Sequence, residues 1–278
     1  MTASPDTILL TGLPRSGTTL IVSLLNEFPN TVALAEPVPM QARGVHERAR
    51  AVGEIEAFIA ETRESALTRN EVRSKQLGGA ILENFFEPPG DGTRLRKVTE
   101  PYGMVKLDKK LTPDFRLVIK HPANFSALAD LLAPRHTLFA LVRHPLAVLA
   151  AWQTVDMPVH HGHMPMAETF SPELTALLAA EPDRIKRQVL LIGWLLGVYS
   201  RFSPELILRY EDLVADPVRH LSRLTPHARP LGRTLELMDP ATRYRGVDLE
   251  PLARALPAIT PIAERFYPDF ERSLAPWL

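Results

Sequence analysis

Thr7-Ile8-Leu9-Leu10-Thr11-Gly12-Leu13-Pro14-Arg15-Ser16-Gly17-Thr18-Thr19-Leu20 decides the fold. The run from Thr7 to Thr11 is short and apolar, as a buried strand requires. From Thr18 to Phe28 the apolar residues Leu20, Ile21, Leu24, Leu25 and Phe28 keep helical spacing. Between them Gly12 and Gly17 stand in a G-x-x-x-x-G frame. A glycine loop between a strand and a helix N-terminus presents outward-facing amides with partial positive charge, and so holds an anion. A nucleoside triphosphatase loop carries Lys after the second glycine. Here that residue is Thr18, and the cation sits inside the loop as Arg15. A guanidinium there aims a planar, permanently charged donor at whatever the amides hold.

Outward from the loop the theme repeats: strand, polar turn, helix. Val32 to Leu34 reads as a second strand, closed by Glu36. Phe115 to Ile119 ends at Lys120-His121-Pro122, and His136 to Val142 ends at Arg143-His144-Pro145. Glu205 to Arg209 reads as a further strand. Helices are expected over 125–132, 146–152, 184–202, 217–224 and 249–266. The charged stretch 44–87 reads as a helical insertion. This alternation implies an α/β fold, a P-loop three-layer sandwich with a central parallel sheet, in a single domain spanning 1–278. In such sheets ligands bind outside the carboxyl ends of the strands. That makes the Gly12 loop, Glu36, Lys120 and Arg143 the candidate site residues.

Composition narrows the function. Lys+Arg and Asp+Glu number 32 each among 278 residues, so no global field favours nucleic acid or an anionic membrane. Without cysteine there is no thiolate nucleophile and no Cys-ligated zinc. The first residues lack the pattern of a secretory signal, and no apolar run reaches the roughly 20 residues of a membrane span; a cytoplasmic location is expected. Arginine dominates the basic residues, and Ala, Leu and Pro abound, as in GC-rich bacterial coding.

Three segments together resemble a family. LLTGLPRSGTTL resembles the 5′-phosphosulfate loop of sulfotransferases that use 3′-phosphoadenosine 5′-phosphosulfate (PAPS), LFALVRHPLAVLAAW their 3′-phosphate segment, and RYEDLVADP a recurrent strand–turn further along. The resemblance implies PAPS as co-substrate, 3′-phosphoadenosine 5′-phosphate (PAP) as product, and no required metal. Arg15 would bind the 5′-phosphosulfate with Pro14, Ser16, Gly17, Thr18 and Thr19. Arg143 would bind the 3′-phosphate. The family places a serine eight residues after that arginine, and here the position is Ala151. An Arg/Lys-Gly pair near the C-terminus is another family contact. Arg245-Gly246, with Arg243 nearby, is read either as that contact or as a solvated turn.

The acceptor must lose a proton, so the chemistry needs a base and cations beside the leaving oxygen. Small-molecule sulfotransferases carry Lys-x-His, but here Lys120-His121-Pro122 has proline at the His position. The protein-tyrosine branch instead has a glutamate at fixed distance from the loop, and Glu36 lies 21 residues after Arg15. On that pattern Glu36 is the general base, with Lys120 and Arg15 on the leaving group. The acceptor is expected to be a small-molecule, lipid or glycan hydroxyl; no motif encodes it or the oligomeric state. His160, His161 and His163 read as a loop near the acceptor pocket, Phe85 and Phe86 either line that pocket or close the insertion onto the sheet, with packing favoured, and Trp152 reads as core. An ATP/Mg-dependent kinase and a non-catalytic nucleotide-binding protein are the alternatives. Thr18 opposes the first, and Ala151 favours the second.

Overall fold

The computed structural model describes residues 6–38, 44–87, 95–98 and 102–278. β1 (Thr7–Gly12), α1 (Thr18–Asn26) and β2 (Thr31–Ala35) come first. α2 (Arg48–Thr68) then runs into β3 (Glu71–Lys75), which pairs antiparallel with β4 (Tyr102–Lys106). β5 (Arg116–Lys120) leads to α3 (Pro122–Ala127) and α4 (Ala129–Leu132). β6 (Thr137–Val142) leads to α5 (Pro145–Trp152), α6 (Pro165–Phe170), α7 (Pro172–Ala179) and α8 (Arg184–Tyr199). β7 (Ile207–Arg209) is followed by α9 (Tyr210–Ala215), α10 (Pro217–Leu221), α11 (Pro240–Arg243), α12 (Glu250–Ala255), α13 (Thr260–Ala263) and α14 (Phe270–Leu274).

Five strands form one parallel sheet in the order β2-β5-β1-β6-β7. Side chains alternate across it, so each strand feeds two cores. Leu9, Val32, Leu34, Leu117, Ile119, Leu138 and Ala140 join a core with α2, α3, α5, α8 and α12. Ile8, Leu10, Ala33, Val118, Phe139 and Leu141 join another with α1, α9 and α10. That is the expected three-layer α/β arrangement. All residues of β1 and of α5 are buried.

Three expectations need correction. The stretch 44–87 is not wholly helical, because β3 follows α2. In Glu71-Val72-Arg73-Ser74-Lys75 only Val72 and Ser74 are fully buried, and the partner strand lies about thirty residues on, so no local pattern shows the pairing. The helix expected over 249–266 is interrupted between α12 and α13 by a 3₁₀ turn, Leu256–Ile259. Pro257 and Pro261 each remove a helical N–H. The 125–132 helix starts at Pro122 and splits at Leu128 into α3 and α4.

Register sets the site. Leu10 and Ala35 both lie level with Lys120, Gly12 with Leu141, and Val142 with Arg209. The residues that follow these strand ends, Glu36, the loop, Arg143 and Tyr210, therefore emerge along one edge of the sheet. Thr11 binds the Pro122 carbonyl at 2.9 Å and shares a hydrogen bond with Ser126, which shares one with Tyr199. This buried chain ties the loop's base to α3 and α8.

Candidate active site

The β1–α1 loop is held from both sides. Leu13 N–H donates to Leu141 O at 3.1 Å, and the Trp152 indole N–H donates to Pro14 O at 2.9 Å. Trp152 is core, as expected, but it also pins the loop. Gly17 has φ 106°, and a Cβ there would stand 2.7 Å from the Tyr210 ring. Both the conformation and the space require glycine. The first N–H groups of α1 have no intrahelical acceptor by geometry, and Gly17, Thr18 and Thr19 line a cavity of about 1540 Å³. Ser16 does not line it; its hydroxyl is buried with no hydrogen-bond partner.

Arg15 adopts φ 70°, left-handed for a non-glycine residue. Its guanidinium lies 4.2 Å from the centre of the Phe86 ring, and its buried Nε has no partner. Burial, with the nearby Arg96, Arg143 and Arg243 charges, lowers its pKa to about 10, so it remains a cation at neutral pH. Phe85 packs in the core as expected. Phe86 does not merely pack: it is the platform for Arg15.

Arg143 is 5% exposed. It lies 4.6 Å from the Tyr210 ring centre and donates from Nη1 to the Tyr244 hydroxyl at 3.1 Å and to Arg15 O at 3.3 Å. The Tyr244 hydroxyl thereby accepts from Arg143 and keeps its own O–H to give. Arg245 and Gly246 also line the cavity. Ala151 is fully buried and does not.

Glu36 and Lys120 meet. Glu36 N–H donates to Lys120 O at 2.7 Å, continuing the β2–β5 ladder by one bond. The chain then turns with Glu36 at φ 46°. Left-handed backbone in a residue of this kind costs of order 1–3 kcal/mol and concentrates at functional sites. Lys120, 5% exposed, donates to Glu36 Oε1 and, at 3.3 Å, to Thr19 Oγ1. Lys75, from β3, donates to Glu36 Oε2 at 2.7 Å. Burial alone would raise the Glu36 pKa, but Lys120 and Lys75, with His121, outweigh it. They hold the carboxyl well below the usual carboxylate range. His121 turns to Val38 O at 3.3 Å, and burial pushes its pKa down to about 4.

The sequence reading missed Lys75, Phe86, Arg96, Tyr210 and Tyr244. Arg96 bonds Thr154 through backbone and side chain and lies 5.7 Å from the Phe86 ring centre. Tyr210 falls inside the quoted RYEDLVADP segment, and Tyr244 is next to Arg245. Lys75 and Phe86 carried no local signal. Among the described residues nine Lys and Arg side chains line the cavity against four Asp and Glu, in a chain of zero net charge. The field is therefore focused inside, not spread over the surface.

The three histidines are spent separately: His160 faces Trp152 O at 3.0 Å and His161 edge-on, and His163 faces Glu168 at 3.3 Å. Among the described residues, no three His, Asp or Glu side chains converge as metal ligands. Nor is any helix among them long and apolar enough to cross a membrane.

The family model described as "Sulfotransferase family" matches residues 5–229, and the chain belongs to the sulfotransferase family. It is thus a transferase of the α/β type. No curated protein matches it. Solved structures similar to it include the sulfotransferase domain from the curacin biosynthetic pathway, at 17% identity over 90% of this chain and 80% of that one, with TM-score 0.38. The sulfotransferase domain of the Synechococcus PCC 7002 olefin synthase is 17% identical over 96% and 95%, with TM-score 0.39. Sulfotransferase STF1 from Mycobacterium tuberculosis H37Rv is 15% identical over 93% and 77%, with TM-score 0.37. Tyr244, Arg245 and Gly246 lie beyond the family match.

Proposed function

We propose that this sulfotransferase takes its sulfuryl group from PAPS and gives it to an acceptor hydroxyl, with Glu36 as general base and Lys120 and Arg15 stabilising the leaving group. One observation carries the reading: a single ammonium, Lys120, touches both the anion loop, at Thr19, and the candidate base, at Glu36. When bound, the donor supplies an electrophilic sulfur whose bond to the 5′-phosphate oxygen breaks as the acceptor oxygen bonds to it, the electron pair leaving with PAP.

This chain's residues do the rest. The amides of Gly17, Thr18 and Thr19, with Arg15 against Phe86, hold the 5′ end. Pro14 lines the same wall, and the buried backbone of Ser16 completes the turn. Arg143 and the Tyr244 hydroxyl hold the 3′-phosphate, and Arg245-Gly246 closes that side. The partnerless Arg15 Nε and the surplus of cations fit a ligand with charge at two places. Tyr244 supplies the hydroxyl that Ala151 lacks.

Glu36 takes the acceptor proton. Its two ammonium partners keep it ionised and oriented in the resting site. As Lys120 turns to the leaving oxygen, the carboxylate loses part of that stabilisation and becomes a better base. Positioned general bases are worth about 10²–10⁴-fold, and one well-placed electrostatic donor about 10²–10³-fold. The test is PAP release from PAPS in the presence of an acceptor alcohol. Glu36→Gln is expected to slow it by about 100-fold or more while PAP still raises the melting midpoint. Wild-type turnover in that variant removes Glu36 from the mechanism.

A further inference from the structure

The cavity of about 1540 Å³ exceeds the roughly 300–1,000 Å³ of a single small-molecule site. The cationic end accounts for one occupant. The remaining wall differs in kind. It is formed by Met157, Val159, Met164, Met166 and Ile185, which reach it from the irregular segment after α5 and from the first turns of α6 and α8. It abuts the base: His121, Pro122 and Ala123 follow Lys120 and line the same cavity, and Pro122 and Ala123 lie in the first turn of α3, which packs on α6.

Polar side chains in this wall are already committed to the protein. Gln153 accepts from Arg184 at 2.7 Å and donates to Gln188 at 3.0 Å. Arg184 also donates to His160 O at 3.0 Å, while the rings of His160 and His163 face Trp152 O and Glu168. A polyol would need several uncommitted partners to replace its lost water, and these groups offer few. An aromatic acceptor would want a ring to stack on, but Phe86, Tyr210 and Tyr244 face guanidinium groups at the other end. Methionines are flexible and polarisable, and they suit a chain of many conformations. Four of the chain's seven methionines line the cavity, three of them here.

We infer that the acceptor is an aliphatic alcohol, a hydroxyl carried on a flexible apolar chain that lies along the methionine wall with its oxygen at Glu36. This rests on the assignment of Glu36 and Lys120 above. The chemistry is that already written: the alcohol O–H proton goes to Glu36, the alcohol oxygen bonds to sulfur, and PAP leaves with the electron pair of the broken S–O bond.

The test is calorimetric titration of straight-chain 1-alkanols, butanol to decanol, into the full chain with and without PAP, with glucose and N-acetyltyrosinamide as comparators. Burying one methylene is expected to tighten binding about fourfold, so affinity should climb steadily with chain length and exceed that of both comparators. In Met166→Glu, and separately in Ile185→Asp, the climb should be lost while the PAP-induced rise in melting midpoint shows that the variant is folded. Affinity independent of chain length, no alkanol binding, or tighter binding of glucose or the tyrosine derivative overturns the inference. Failure of PAP to bind in the same experiment instead counts against the donor reading. Chain-length-dependent alkanol binding without sulfate ester formation from PAPS removes the base and leaves the apolar site standing.

Discussion

The cationic end of the cavity and its methionine wall are built by different means. The cationic end stands on the sheet. Arg15, Lys120 and Arg143 each follow or close a fully paired parallel strand, and their backbones are fixed by ladder bonds, by Trp152 on Pro14, and by Tyr210 against Gly17. The methionine wall is made of the first turns of α6 and α8, a 3₁₀ turn (Pro158–His161) and connecting segments. A charged nucleotide needs donors at fixed places, because misplaced donors leave buried charge uncompensated. An apolar chain needs only area removed from water, which is non-directional and tolerates irregular walls. On the proposed reading, sheet-anchored cations serve the chemistry and the two phosphate ends, with Phe86, Arg96 and Tyr244 added from connecting segments, and the less regular wall serves the acceptor.

Substitutions can break this division, and the largest effect belongs to the junction of the two ends. Lys120→Ala removes the ammonium shared by loop and base. PAP release from PAPS should slow by about 100-fold or more, with the fold retained by circular dichroism and melting. Near-normal rates would mean that the two ends are not coupled through this residue. Lys75 is subtler, because it comes from the β3–β4 pair outside the main sheet. It holds Glu36 Oε2 and helps depress the carboxyl. Lys75→Ala should move the acid limb of the rate profile to higher pH, and Lys75→Arg should largely restore it. An unmoved limb with an unchanged rate would confine Lys75 to packing.

The sign of the stability effect follows from the same groups. Glu36 is depressed from an ordinary 4.5, so its ion pairs contribute fully above that pH and are lost as pH falls towards the folded value. His121 is depressed from 6.5 to about 4, so its contribution to stability falls across that window as the unfolded chain takes up the proton. The melting midpoint should therefore drop on acidification below about pH 6.5, with a shallower slope between 6.5 and 4 in His121→Gln. An equal slope in that variant would contradict the buried neutral imidazole.

The smallest effects sharpen the donor end. Tyr244→Phe removes one hydroxyl and should weaken PAP binding by about tenfold or somewhat more, the worth of one hydrogen bond to a charged group. Ala151→Ser should not strengthen it, because that position faces the core, and the added hydroxyl should lower the melting midpoint. Tighter PAP binding in Ala151→Ser would return the 3′-phosphate to α5 and displace Tyr244 from its role.

The same division explains what could be read from the chain. Arg15, Lys120 and Arg143 were legible because strand, turn and helix are local signals, and a cation at a strand's carboxyl end stands out against apolar neighbours. Glu36 was legible through its distance from the loop. Lys75 was not: it reaches Glu36 only because β3 pairs with a strand about thirty residues away, and the alternation of Glu71-Val72-Arg73-Ser74-Lys75 is too short and too charged to read as sheet. Tyr244 and Phe86 meet Arg143 and Arg15 across more than seventy residues, a separation no periodicity spans. The prolines at 257 and 261 were visible, yet the apolar spacing of 249–266 masked the break they impose.

The most direct test of the donor assignment is a thermal-shift titration with PAP set against ATP plus Mg²⁺. Ligand at 100 times its dissociation constant adds about 2.7 kcal/mol, several degrees for a chain of this size. The account predicts that PAP raises the melting midpoint by that amount and that Arg143→Ala abolishes the rise at the same concentration. No shift with PAP, together with a clear one with ATP plus Mg²⁺, would contradict it and make the loop that of a kinase.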